Sequence, residues 1–235
     1  MIEEAIKALR QGKPVLIYDF DTREGETDLV YPAKHVTSKS VLKMRKDAGG
    51  LICVSIHPVA AKKLGLPFMT EIFDELSTKI PAFKKLVMSK PKYDVKTSFS
   101  LWVNHKGTYT GVTDKDRALT IRKIGEIVEK ALNGGSVNFF EEFMSPGHVP
   151  ILRAADNLLA ERVGHTELSI ALAEMAGITP AMALCEMLDG ETGEALSKND
   201  AKSYGKENGI PFIKGVDIIK AYRKYLKCKI KNKKL

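Results

Sequence analysis

Cysteine is scarce in this sequence. Three occur in 235 residues, Cys53, Cys185 and Cys228, and no two form a CxxC pair. That excludes a disulfide framework, a zinc ribbon and a thioredoxin-type redox motif, and the odd count suits a reducing compartment. Long apolar runs are missing too: none approaches the roughly 20 residues that a membrane-spanning helix needs. The opening Met1-Ile2-Glu3-Glu4 carries acids where a secretory signal carries Lys or Arg. Neither export nor a membrane partner is therefore expected, and the expected location is cytoplasmic. No internal repeat and no Pro/Ser-rich linker divides the chain. With 44% hydrophobic and 28% charged residues, the composition is that of an ordinary globular domain and rules out a disordered or collagen-like chain.

What is abundant is lysine, and its placement decides its meaning. The net charge is +8, and residues 214–235 hold nine cations against one acid, Asp217. That segment carries the whole excess, and the rest of the chain is balanced. A terminal Lys run without an aromatic-and-Arg stacking surface reads as a solvated end, so no nucleic-acid partner is expected. The domain is set at 1–228, with a basic tail at 229–235.

Periodicity and punctuation place the elements. Ile2, Ala5, Ile6 and Leu9 share one face of a helix over 2–10. Residues 14–18 form a short buried strand, an acidic stretch runs over 19–28, and 29–31 resume a strand. A helix over 38–48 ends at Gly49-Gly50, and 51–56 are a buried strand. Residues 58–90 hold amphipathic pieces broken by Pro67 and Pro81. Two strands, 98–104 and 108–113, are expected around a turn at His105-Lys106-Gly107. A helix over 115–132 stops at Gly134-Gly135, and Ser145-Pro146-Gly147-His148 sits in a loop. Helices at 166–176, 198–208 and 216–227 and strands at 181–188 and 211–213 complete the chain. Helices and strands mix without regular βαβ alternation. The expected class is α+β, a single domain with a mixed β-sheet core surrounded by helices.

Three polar clusters exceed what such a fold requires. Residues 19–28 read D-F-D-T-R-E-G-E-T-D, five carboxylates and Arg23 directly after a strand. Carboxylates this dense repel one another unless a cation or a water-filled cleft compensates, and hard divalent cations such as Mg²⁺ take oxygen ligands. The alternative is an exposed acidic turn. Arg162-Val163-Gly164-His165-Thr166-Glu167 opens a helix, with Thr166 as its N-cap. Free N–H groups, the positive dipole end and Arg162 suit a phosphate, and His165 can offer a ring nitrogen to a metal. The alternative there is a capped helix with a surface Arg. The third cluster is split. His148 sits in its Gly/Pro loop, and Glu186 interrupts the apolar strand 182–188. A buried carboxylate needs a partner or a job, unless it faces outward from an edge strand. Trp102 and Cys53 are assigned to the core. A phosphate, a divalent metal and acid–base groups together suit enolisation chemistry on a sugar phosphate.

At these residues the sequence resembles the 3,4-dihydroxy-2-butanone 4-phosphate synthase family. The family's acidic loop, D-D-E-D-R-E-N-E-G-D, is matched by Asp19, Arg23, Glu24, Glu26 and Asp28. R-x-G-H-T-E is intact at 162–167, G-H-V at 147–149 and P-x-x-x-x-C-E at 180–186, and T-G-x-[ST]-x-x-D-R is similar to 110–117. Phe20, Thr22, Gly25 and Thr27 replace familiar loop residues, and Asp21 stands where Glu is usual.

The resemblance implies a monofunctional lyase of riboflavin biosynthesis. It would convert D-ribulose 5-phosphate to 3,4-dihydroxy-2-butanone 4-phosphate and formate through an enediol, loss of water and a skeletal rearrangement. It implies two Mg²⁺ per active site, with Mn²⁺ as a substitute, bound by Glu24 and His165. It implies substrate contacts from Arg23, Glu24, Asp28, Thr113, Arg162, Val163, Gly164, His165, Thr166 and Glu186. Catalytic roles fall to His148, Glu186, Cys53 and Asp21, and the expected assembly is a homodimer with active sites near the interface. The nearest alternative is another metal-dependent phosphosugar isomerase or aldolase. From a different class, the alternative is a nucleic-acid-binding protein using its Lys tail.

Overall fold

Seven strands in one mixed sheet organise the computed structural model, which describes residues 1–86, 94 and 96–232. In chain order they are β1 (Val15–Tyr18), β2 (Thr27–Pro32), β3 (Cys53–Ile56), β4 (Phe99–His105), β5 (Phe143–Arg153), β6 (Ala181–Glu186) and β7 (Phe212–Lys214). Across the sheet the order is β4-β5-β3-β6-β2-β1-β7. The β3–β5 and β1–β7 pairs are parallel and the others antiparallel. The helices are α1 (Ile2–Arg10), α2 (Ser38–Lys43), α3 (Pro58–Lys63), α4 (Met69–Ser77), α5 (Asp114–Leu132), α6 (Phe139–Glu142), α7 (His165–Ala176), α8 (Lys198–Asn208) and α9 (Gly215–Asn232).

Alternation along the strands feeds two cores, because successive side chains leave a strand on opposite faces. Leu16, Leu29, Val54 and Ala183 join a cluster with residues of α2, α3 and α5. Val15, Ile17, Val30, Cys53 and Leu184 join one with residues of α1, α7 and α9. A sheet covered on both faces has strands that read as unbroken apolar runs, which is why β1, β3 and β6 were legible. Helix α5 presents Ala118, Ile121, Ile124, Val128 and Ala131 inward at helical spacing. Helix α7 differs: ten of its 12 residues are buried. Its polar groups find partners inside; the Ser169 hydroxyl, for example, lies 2.8 Å from that of Ser55.

The structure corrects two expectations and completes a third. The strand expected at 108–113 does not form. Asp116, in the first turn of α5, accepts the backbone N–H groups of Tyr109, Thr110 and Gly111, and Thr113 caps α5 by accepting from the Asp116 N–H. Donors that a ladder would need are taken up by this helix entry. β4 pairs instead with β5, which runs through the loop expected at 145–148. The register jumps between Val103↔Val149 and Asn104↔Met144, so residues 145–148 bulge out of the strand. Gly147 lies in this bulge, where a Cβ would stand 2.0 Å from the Val103 carbonyl carbon. Only glycine permits that approach of two backbones. The segment 58–90 contains α3, α4 and a 3₁₀ turn at Pro81–Lys85; residues 87–90 lie outside the described residues. Helix α9 continues through 228 to Asn232, and tail residues 233–235 lie outside the described residues. No helix among those described is long and apolar enough to cross a membrane.

Candidate active site

The loop between β1 and β2 is shaped by one buried carboxylate. Asp19 accepts the backbone N–H groups of Glu24 and Glu26 and the Arg23 guanidinium, each at 3.1 Å. Gly25 turns the chain at φ +71°, a conformation that costs glycine little. Folded this way, the loop delivers Glu24 to the start of α7. Glu24 Oε2 lies 3.0 Å from His165 Nδ1 and 2.7 Å from Arg23 Nη1. His165 Nε2 lies 3.2 Å from the Glu26 carbonyl oxygen and 3.7 Å from Asp28 Oδ1.

Helix α7 begins differently from expectation. Its N-cap is Gly164, with no side-chain cap bond, and Thr166 stands within the first turn. A Cβ at Gly164 would lie 2.3 Å from Arg162 Nη1 and 2.7 Å from Arg23 Nη2. Glycine is what lets two guanidinium groups converge on the helix start. Both approach one oxygen of Asp94, Arg23 Nη2 at 2.5 Å and Arg162 Nε at 2.6 Å. Arg162 Nη1 also reaches Glu167 at 2.7 Å, and Glu167 accepts the Ala155 N–H.

Asp28 and Glu186 are register partners on β2 and β6, so two carboxyl groups stand side by side on neighbouring strands. Burial pushes both above the ordinary carboxyl range; for Asp28 the neighbouring Glu186, Glu24 and Glu26 add to it while His165 opposes. Burial also acts to raise Glu24, but His165 and Arg23 prevail and hold it at about 2. Burial acts to lower the His165 imidazole, but Asp28, Glu24 and Asp19 raise it to about 9. Opposite charges at contact distance thus win over desolvation for this pair. Burial, with Glu186 and Asp28, pushes the Cys53 thiol well up, so it is no thiolate at neutral pH.

These side chains line a cleft of about 850 Å³. From the expected set it gathers Arg23, Glu24, Asp28, Cys53, Arg162, His165, Thr166 and Glu186. Val163 and Gly164 belong to the turn that leads into α7. Asp21, Thr113 and His148 are not among its lining residues. Asp21 is exposed, 2.7 Å from Lys198 Nζ and hydrogen-bonded by the Tyr18 hydroxyl. Thr113 caps α5, and His148 stands on the bulge of β5, held by Asn104. Trp102 does not fill the core: it is 38% exposed and lines the cleft, because β4 is an edge strand. Sequence reading also missed Asp94, whose only local signal is an acid among lysines.

The donor set fits a hard divalent ion. Asp19, Glu24 and His165 each offer a ligand atom within 4.8 Å of the others. The Asp19 oxygens are engaged by the loop, whereas Glu24 and His165 meet each other in the wall of the cleft. Asp28 Oδ1 is buried without a hydrogen-bond partner, and such an orphan normally marks a missing cation or water. Four carboxyl groups, Glu24, Glu26, Asp28 and Glu186, share the cleft with the His165 ring. A surplus of oxygen donors over cations is what Mg²⁺ accepts.

The family model described as 3,4-dihydroxy-2-butanone 4-phosphate synthase matches residues 3–221. A relative of that name from Archaeoglobus fulgidus is 60% identical over 224 residues, spanning 95% of this chain and 94% of its own. Another, from Methanothermobacter thermautotrophicus, is 46% identical over 225 residues, or 96% and 97% of the two chains. The solved structure of the Candida albicans synthase superposes with a TM-score of 0.73 at 28% identity, covering 94% of this chain and 96% of that one. A synthase structure in complex with two magnesium ions gives 0.76 at 25% identity, covering 95% and 96%. The chain belongs to the 3,4-dihydroxy-2-butanone 4-phosphate synthase family.

Proposed function

We propose that the protein converts D-ribulose 5-phosphate to 3,4-dihydroxy-2-butanone 4-phosphate and formate in riboflavin biosynthesis. One observation carries this reading: Glu24 and His165 meet at 3.0 Å beside Arg23 and Arg162 at the start of α7. Oxygen and nitrogen donors for a divalent ion thereby adjoin cations and a helix N-terminus for a phosphate. Glu24 and His165 would hold Mg²⁺, which would supply Lewis acidity toward the substrate. The chain's own groups do the rest. Arg23, Arg162 and the first turn of α7, with Thr166, hold the phosphate end. Asp28 and Glu186, whose carboxyl groups are pushed upward by burial, are suited to taking up and returning a proton. Two ions per site, Mn²⁺ as a substitute, a cytoplasmic location, and a synthase domain over 1–228 with a basic tail at 229–235 belong to the same reading.

The assembly proposed is a homodimer in which His148 and Thr113 serve the cleft of the second copy. Neither lines the cleft of its own chain. Leu51, Trp102 and Leu188 expose 38–41% of their surface at the cleft, and Val112 and Met144 flank the two residues with 51% and 43%. Exposed apolar groups gathered this way mark contact surfaces.

Incubation with ribulose 5-phosphate and Mg²⁺, with and without a chelator, tests the reaction. Chelator-sensitive formate release supports it. An isomerase or aldolase would consume the sugar without formate, and that result would refute it.

Arg162→Ala should act mainly on substrate affinity. Each lost charge-assisted hydrogen bond costs about 1.5–3 kcal/mol, or roughly a 10–150-fold rise in KM. Steady-state kinetics decide: a wild-type KM with reduced turnover would contradict the assignment. Cys53→Ser should fold and retain turnover, because the buried thiol is neutral and Ser keeps a small polar group at the cleft wall. Complete inactivity of a folded, metal-replete variant would make the thiol chemically necessary.

A further inference from the structure

Asn104 is a buried polar residue on β4 that the reaction above does not use. Its side chain lies against His148. Asn104 Oδ1 accepts the His148 backbone N–H at 2.8 Å, which fixes the orientation of the amide. Nδ2 is then 3.1 Å from His148 Nδ1, and Oδ1 is 3.2 Å from it. Gly111 closes the other side: a Cβ there would stand 2.1 Å from Nδ2. The amide therefore also ties down the segment that leads to Thr113.

Hydrogen-bond accounting selects a tautomer. Oδ1 is satisfied by the backbone N–H whatever the ring does. Nδ2 is packed under Gly111, and His148 Nδ1 is the one acceptor it meets among the described residues. A proton on Nδ1 would bring two donors together at 3.1 Å and leave a buried N–H without an acceptor, which proteins avoid. A lone pair on Nδ1 satisfies both groups, and the neutral ring then carries its proton on Nε2. No ion pair involves His148 among the described residues. The charged group on the segment packed against Asn104 is Asp116, whose carboxylate is taken up by the backbone N–H groups of Tyr109, Thr110 and Gly111.

We propose that Asn104 is a positioning residue that fixes His148 as its Nε2–H tautomer, so that the ring offers a substrate oxygen a hydrogen-bond donor and not a base. This rests on the reading that His148 serves the active site. The donor would stabilise charge developing on that oxygen without transferring a proton.

The test combines spectroscopy and kinetics on the full chain. With ¹⁵N-labelled histidine and His148→Ala for assignment, long-range ¹H–¹⁵N spectra at high pH should show wild-type His148 protonated on Nε2. In Asn104→Asp the carboxylate offers no donor and accepts Nδ1–H, so the neutral ring should switch to the Nδ1–H form. Turnover of that variant should fall about 100-fold where the ring is neutral. It should recover as the pH falls and the protonated ring regains Nε2–H, with KM little changed. A purely structural role would lower turnover equally at every pH, and that result would overturn the proposal. So would an Nδ1–H ring in the wild type, a measurement that does not depend on the variant folding. Wild-type turnover in His148→Ala would refute the reading of His148 as a site residue, while the spectra would still decide what Asn104 does to the ring.

Discussion

Replacing Glu24 by Gln, or His165 by Asn, is expected to abolish formate release from ribulose 5-phosphate and leave the fold intact. The two residues are 141 positions apart yet meet at 3.0 Å, so no local structural role couples them. Gln keeps the size of Glu and gives up its charge, which separates metal chemistry from packing. Metal-assisted charge stabilisation is worth several kcal/mol, so each turnover should drop by about 10³-fold or more. The double variant should be hardly slower than the worse single one, because either change already disables the same site. With substrate present, Mg²⁺ should raise the melting temperature of the wild type more than that of the variants, by mass action on the folded state. Steady-state formate assays, circular dichroism and thermal melts check the set. Wild-type formate release by either variant in a chelator would end the metal assignment.

Mixing two dead proteins should restore activity. His148→Ala and Glu24→Gln each spoil every site of their own homodimers. If a cleft takes His148 from the second copy, a mixed dimer has one site with both defects and one with neither. Half of randomly exchanged dimers are mixed and one of their two sites is whole, so recovery should reach roughly a quarter of wild-type activity. Tagged chains would verify that exchange occurred. Proven exchange without recovery would place His148 outside the partner's cleft, and the homodimer reading would lose its main support.

Much of the fold was legible because both faces of the sheet are covered. Continuous apolar runs marked β1, β3 and β6, and α5 showed its buried face at helical spacing. The partner of β4 was not legible. Pro146-Gly147 is a turn signal to any local reading, and only the contact with the Val103 backbone reveals a bulge inside a strand. Thr166 was misread as a cap because Ser/Thr at a helix start usually is one; here the two arginines impose glycine at the capping position. The candidate site was legible as motifs and not as a geometry. Acid density flagged residues 19–28 without saying that Asp19 builds the loop while Glu24 faces His165. Asp94 and Asn104 carry no motif at all. Their partners lie 71 and 44 positions away, and such pairings exist only once the chain is folded.

The crowding of carboxyl groups around His165 has a consequence for how the cleft loads its ion. Without a divalent cation, protons do the neutralising. One resides on the imidazole, held at about 9, and burial with the neighbouring carboxyl groups biases Asp28 toward its protonated form. Magnesium uptake by the proposed site at neutral pH would therefore be an exchange reaction, in which an ion enters and protons leave. Its apparent affinity should climb with pH until about 9, where the imidazole is deprotonated anyway, by up to roughly tenfold per pH unit for each proton displaced. Calorimetric heats of Mg²⁺ binding should shift with the ionisation enthalpy of the buffer, and heats independent of the buffer would contradict the exchange. Acidification should therefore release the ion as the imidazole takes up its proton.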